Sequence, residues 1–359
     1  MRAMTKHWTT LVPLLALALM AAAAGTTPGA ALSLLCAVAL VGAVIAAVHH
    51  AEVVAHRVGE PYGTLVLALA ITVIETALIV SLMLSGGAST AALPRDTLYA
   101  TVMIICNGVV GLCLLVGGLR HREQSFQVAG TGPALAALVV LCTISLVLPV
   151  FTTSSPEGTY TASQLAFVGL ASTALWAVYV FVQTVRHRDY FLPRADAADE
   201  SVHAQPPGVR EALLSGLLLP VALVSVVGLA KLLSPRIEAL VDAAQAPKAV
   251  VGVAIAMLVL LPETWAALRA ARANRLQTSM NLALGSALAS IGLTVPAVVL
   301  AAVLLKLPLV LGVAPKEMAM LAMTFLVSAI TLGSGRTYLM QGAVHLVVFA
   351  AFLFLAFVP

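Results

Sequence analysis

Two carboxylates of this chain stand where carboxylates are expensive. Glu75 lies within LALAITVIETALIV (Leu67–Val80) and Glu263 within AIAMLVLLPETWAAL (Ala254–Leu268), and no other acid falls inside a long apolar run. An acid inside a bilayer span must be neutralised, which makes it by default a candidate for an ion pathway. Two of them in similar phrases, one in each half of the chain, predict a duplicated transporter sharing one cation site.

Oxygen-bearing side chains accompany each acid. Gly63 and Thr64 open the first apolar phrase, and Thr72 precedes Glu75 by three residues, which puts both on one helix face. The next run, TVMIICNGVVGLCLLVGG (Thr101–Gly118), carries Asn107 as its one strongly polar side chain near the middle. In the second half Pro262 directly precedes Glu263. A proline has no N–H and frees a carbonyl, so a broken helix is expected beside the carboxylate. The run after it, NLALGSALASIGLTVP (Asn281–Pro296), places Ser286 and Ser290 on one face, and Gly111 and Gly285 permit close helix approach.

Carboxylates, an amide, hydroxyls and freed carbonyls make an all-oxygen site. Such a site suits a hard cation such as Ca²⁺, which takes 6–8 oxygens, and excludes a soft thiolate metal. With the cation gone, two unpaired carboxylates cannot share a low-dielectric site, and protons take its place. Competition of H⁺ with the cation for the same oxygens is the physical basis of exchange.

These residues need membrane helices to hold them. Of 359 residues 61% are hydrophobic and only 9% charged. A soluble domain carries about 25% charged residues, so the composition argues for a polytopic membrane protein. The apolar runs have roughly the 17–25 residues a helix needs to cross a bilayer, and the alternation of barrel strands is absent. Eleven spans are predicted, near 9–25, 30–50, 62–84, 97–119, 133–151, 163–185, 211–233, 248–268, 278–304, 316–332 and 338–358. Most Lys and Arg fall in the connections on one side, which places the N-terminus in the cytoplasm and the C-terminus outside. Arg2 and Lys6 before Leu11–Ala24 also fit a cleaved secretory signal, but an uncleaved first span is the preferred reading.

Arg186–Arg210 is the longest polar stretch and includes Pro206-Pro207. It reads as a cytoplasmic linker. The expected organisation is an extra helix in 1–29, a five-helix repeat in 30–186, a linker in 187–209 and a second five-helix repeat in 210–359. Helices five apart run in opposite directions, so the two Glu phrases cross antiparallel, as in inverted repeats with a midplane site.

Several features carry less. Cys36, Cys106, Cys113 and Cys142 have neither zinc nor disulfide spacing. The net charge of +4 belongs to loops facing a lipid bilayer rather than to a nucleic-acid face. His49, His50, Glu52 and His56 read as a solvated helix end, with pH sensing or metal binding as the alternatives. His345 and Gln341 read as packing residues, and Trp176, Tyr179 and Trp265 as interfacial anchors. No Walker motif points to ATP, and no cofactor is expected beyond the transported cation and H⁺. A passive cation channel is the alternative. An intramembrane enzyme is a more remote one, because no H-E-x-x-H motif is present.

The phrase GEPYGTLVLALAITVIE (Gly59–Glu75), and PET followed by QTSMNLALGSALASIGLTVP (Gln277–Pro296), resemble the calcium/cation antiporter (CaCA) superfamily in its bacterial ChaA-type branch. The resemblance extends over nearly the whole chain. It implies an antiporter of the bacterial inner membrane that exports Ca²⁺, or else Na⁺ or K⁺, driven by inward proton flow, with one essential acid per repeat at Glu75 and Glu263 and polar partners at Asn107 and Ser286. The Gly-Asn-x-x-Glu pattern of calcium exchangers is missing: the chain has Ile71-Thr72-Val73-Ile74-Glu75 and Val259-Leu260-Leu261-Pro262-Glu263.

Overall fold

A computed structural model describes residues 8–26, 29–59, 62–192 and 207–358, the side chains of 62–65 excepted. Arg2, Lys6 and the middle of the expected linker lie outside the described residues. Among the described residues eleven long helices form, as the apolar runs predict: α1 (Trp8–Ala23), α2 (Ala30–Val58), α3 (Tyr62–Gly86), α4 (Leu93–His121), α5 (Val128–Val150), α6 (Ala162–Arg186), α7 (Val209–Ala243), α8 (Ala249–Arg272), α9 (Leu276–Leu305), α10 (Pro315–Gly333) and α11 (Leu339–Phe357). All but α1 are long and apolar enough to cross a membrane. A helix satisfies its own backbone polar groups, which hydrocarbon cannot do. At 35 residues α7 is about 50 Å long, well beyond a hydrocarbon core of about 30 Å.

Side chains are sorted inside out. Leu170, Leu217, Ile330 and Val347 are among the exposed large apolar residues, whereas Thr97, Ser145, Ser172, Ser225, Ser234, Ser279, Thr294 and Thr324 are fully buried. Lipid offers apolar residues no reason to hide, while small polar residues let helices approach and bond. The four cysteines are buried free thiols.

Helix ends follow local chemistry. Thr161 and Gln164 form a capping box at the start of α6, with Gln164 Oε1 accepting from Thr161 N at 2.8 Å. Pro315 opens α10, and Glu317 reaches back to accept from Ala314 N at 2.7 Å. The helix at Pro262 departs from expectation. α8 runs unbroken through that residue, and Glu263 sits within regular helix. The helix tolerates the missing N–H with only the carbonyl of Leu258 deprived of its usual donor.

The described chain forms two compact units, and neither is a sequence half. The first contains α1, α2, α3 and α7; the second contains α4, α5, α6 and α8–α11. In the first unit α7 and α2 pack along each other, and α1 and α3 pack against both. His50 pins this bundle: it is buried, its Nδ1 is 3.0 Å from Ser215 Oγ and its Nε2 is 2.9 Å from the carbonyl of Thr9. His49 stacks its ring edge toward His50 and lies near Trp8. The solvated helix end read from the sequence is therefore corrected for His50, because α1 and α7 cover it.

In the second unit a two-stranded ribbon joins the end of α4 to the start of α11. β1 (Glu123–Ser125) pairs antiparallel with β2 (Arg336–Tyr338), Gln124 opposite Thr337. Both of those side chains point inward, and Gln124 Nε2 donates to Ala271 O and Asn274 Oδ1. Strands this short leave no alternation to read in sequence. α4 packs on α8 and α11 through glycines: a Cβ on Gly252 would lie 2.8 Å from Thr97 N, and one on Gly342 would lie 2.4 Å from Leu115 N.

Two stability predictions follow from these contacts. Gly342→Val forces α11 off the α4 backbone and should cost about 1–3 kcal/mol. His50→Leu leaves Ser215 Oγ and the Thr9 carbonyl unpaired, at about 1–3 kcal/mol each. Thermal unfolding in detergent should show a lowered midpoint for both, and a midpoint equal to that of the parent would refute the packing described.

Candidate cation site

The first unit supplies Glu75. It stands on α3, whose packing against α2 and α7 leaves its side chain 1% exposed. Thr72 is buried one turn earlier on the same face, and its Oγ1 donates to Ala68 O at 2.8 Å. That bond consumes the hydroxyl hydrogen and leaves lone pairs, the end of the group that a cation needs. Thr76 Oγ1 is buried beside Glu75 with no hydrogen-bond partner. Gly63 falls in the first turn of α3, and its surroundings lie outside the described residues.

The remaining candidates belong to the second unit. Glu263 is half-buried on α8. α8 packs on α9, which bears Ser286 and Ser290, and both helices touch the middle of α4, which bears Asn107. Glu263, Ser286, Ser290 and Asn107 thus come from three mutually packed helices. Ser290 is buried, and Ser286 Oγ is buried with no hydrogen-bond partner.

Asn107 occupies a local irregularity. Residues Ile104–Val109 form a π-helical turn within α4, the most enclosed of the spans. Such turns shift the backbone register and recur at functional sites. Asn107 is fully buried and tightly held: Nδ2 donates to Thr324 Oγ1 at 2.9 Å, and Oδ1 lies 3.3 Å from His345 Nδ1. His345 Nε2 lies 3.1 Å from Thr331 Oγ1, so α4, α10 and α11 meet in one polar chain. Gly111 allows this, since a Cβ there would lie 2.9 Å from His345 Cβ.

Several sequence expectations change here. Gly285 is not a point of close backbone approach: a Cβ there would have only Tyr179 Oη within 4 Å, at 3.9 Å. The tight glycine of α9 is Gly292, where a Cβ would lie 2.6 Å from Trp176 Cβ. Trp176 and Tyr179 are buried against α9 rather than anchoring at an interface, whereas Trp265 is exposed as an anchor would be. Tyr179 Oη is buried with no hydrogen-bond partner. The spacing Ser172, Trp176, Tyr179 repeats at helix period and could have revealed this inward face. No signal in the sequence singled out Thr324 and Thr331, because buried hydroxyls are common in membrane helices.

Among the described residues, no three His, Cys, Asp or Glu side chains cluster as metal ligands.

Comparison with known proteins agrees with the fold. The sodium/calcium exchanger protein family profile matches residues 28–185 and 214–358. The chain is 52% identical over 320 residues to y4hA of Sinorhizobium fredii, named as an ionic transporter, covering 89% of this chain and 87% of that one. It is 36% identical over 329 residues to the sodium-potassium/proton antiporter ChaA of Escherichia coli, covering 91% and 89%. The structure of YfkE, a Ca²⁺/H⁺ antiporter, superposes with a TM-score of 0.72 at 18% identity over 98% of this chain and 100% of that chain. With ten apolar membrane-length helices and matches across both halves, the chain belongs to the sodium/calcium exchanger protein family, in its cation/proton antiporter branch.

Proposed function

We propose that the protein exchanges a cation for protons at a site built on Glu75 and Glu263, with Thr72, Asn107, Ser286 and Ser290 as polar partners. The observation that carries this reading is Glu75: a carboxylate 1% exposed on an apolar membrane helix, in a chain of the exchanger family. A carboxylate in that setting persists only neutralised. A proton or a cation can do so, and the two exclude each other. Release of as many protons as the cation has charges keeps the site neutral through the cycle.

An alkali cation, Na⁺ or K⁺, is favoured over Ca²⁺. Ca²⁺ needs 6–8 oxygens, and Thr72 and Leu260 stand where the calcium-exchanger pattern has its asparagines. The 36% identical relative is named for sodium, potassium and protons. The carbonyl of Leu258, deprived of a donor by Pro262 one turn below Glu263, is an additional oxygen. α3 and α8 are the second helices of two five-helix repeats of opposite orientation. The protein lies in the bacterial inner membrane with its N-terminus in the cytoplasm, and residues 187–209 link the repeats on that side.

Everted vesicles test the site. Addition of Na⁺, K⁺ or Ca²⁺ should dissipate a preformed pH gradient, with Na⁺ or K⁺ effective at the lower concentration. Glu75→Gln and Glu263→Gln should each abolish the response at unchanged protein level in the membrane. Full activity in both variants would reject the two-glutamate site, and cation flux without proton counterflow would identify a channel instead.

A further inference from the structure

The chain of hydrogen bonds through α4, α10 and α11 ends on a histidine that the exchange chemistry above does not use. We infer that His345 is a positioning residue: it sets which end of the Asn107 amide faces the cation, and through that the preference among cations. The inference rests on reading Asn107 as a partner in the cation site.

The argument follows the direction of each hydrogen bond. Thr324 Oγ1 donates its hydrogen to Met103 Sδ at 3.4 Å. Its lone pairs are then left to accept from Asn107 Nδ2 at 2.9 Å. The second hydrogen of Nδ2 points to Met103 Sδ at 3.9 Å. The amide nitrogen is thereby spent, and Oδ1 is turned toward His345. An oxygen there requires Nδ1 of His345 to carry the proton. Nε2 is then left to accept from the Thr331 hydroxyl at 3.1 Å, which can turn to donate. The Cys106 carbonyl, within the π-helical turn, also faces the ring.

An amide oxygen has two lone pairs. His345 takes one, so the other stays available as a cation ligand. Without that donor only the Thr324 hydroxyl and the Met103 sulfur hold the amide, and a hydroxyl that turns to donate would hold the flipped amide equally well, bringing round the N–H₂ end that repels a cation. His345 is fully buried and packed against Gly111. It therefore cannot move aside without displacing α11 from α4.

Two substitutions separate the roles of the ring nitrogens. His345→Asn keeps a donor near the Nδ1 position. His345→Gln places its amide near Nε2 and keeps only the Thr331 contact. The readout is KM for Na⁺, K⁺ and Ca²⁺ in everted vesicles, compared as ratios between cations. His345→Asn should keep the parent ratios within about threefold, and His345→Gln should change at least one by about tenfold, the scale of one hydrogen bond. His345→Leu should do the same where it folds. Added to Asn107→Ala, none of these changes should alter the ratios further. If His345→Asn and His345→Gln behave alike while Asn107→Ala shifts the ratios, His345 is only a packing residue and the inference falls. If Asn107→Ala leaves every KM unchanged, the amide is no part of the site, and the positioning role falls with it.

Discussion

Hydrocarbon solvates neither charges nor hydrogen-bonding groups, and that single deficiency governs this molecule. Every backbone amide in a span must find its partner within its own helix, so the described chain is helical apart from short connections and one two-stranded ribbon. Side chains obey the same rule. Leucines, valines and phenylalanines cover the outside at no cost, and serines, threonines, Asn107, His50 and His345 turn inward, where other helices can satisfy them. An acid such as Glu75 is the extreme case, since hydrogen bonds alone do not make a bare carboxylate tolerable there. In the proposed function, the need for a neutralising partner turns that structural cost into an exchange reaction.

The inner polar groups are not equally satisfied, and the difference has meaning. Asn107 and His345 sit in a closed chain of donors and acceptors running from Met103 to Thr331. A network completed in this way rigidifies its members. Ser286 Oγ and Tyr179 Oη, by contrast, are buried without partners, on the neighbouring helices α9 and α6. Buried hydroxyls left so are uncommon in native proteins and suggest a role that internal hydrogen bonds do not fill. In the proposed site, a preorganised amide and unspent hydroxyls on neighbouring helices are the groups that would select a cation and release it.

The division into compact units adds a point about construction. Two repeats in sequence need not be two bodies in space. Here α7, the first helix after the linker, packs with α2 and α3 from before it, and α8–α11 pack with α4–α6. Each unit therefore draws on both halves of the chain. The family profile likewise matches on both sides of the linker.

Apolar length and intramembrane charge are local properties, so they were readable before any fold was known. They yielded all eleven helices, and they singled out Glu75 as a buried acid, because each span must meet the bilayer's demand by itself. Asn107 stood out for the same reason, as an amide alone in an apolar run. Properties that depend on a neighbour were not readable. Pro262 left its helix intact; Gly285 proved roomy while Gly292 proved tight; Trp176 and Tyr179 turned inward; His50 was covered by α1 and α7; and His345 joined Asn107 across 238 positions of sequence. In each case the deciding quantity is which helix lies against which face. In a membrane, apolar residues favour lipid and protein alike, so the pattern along the chain does not say which face turns inward; close packing between particular helices does.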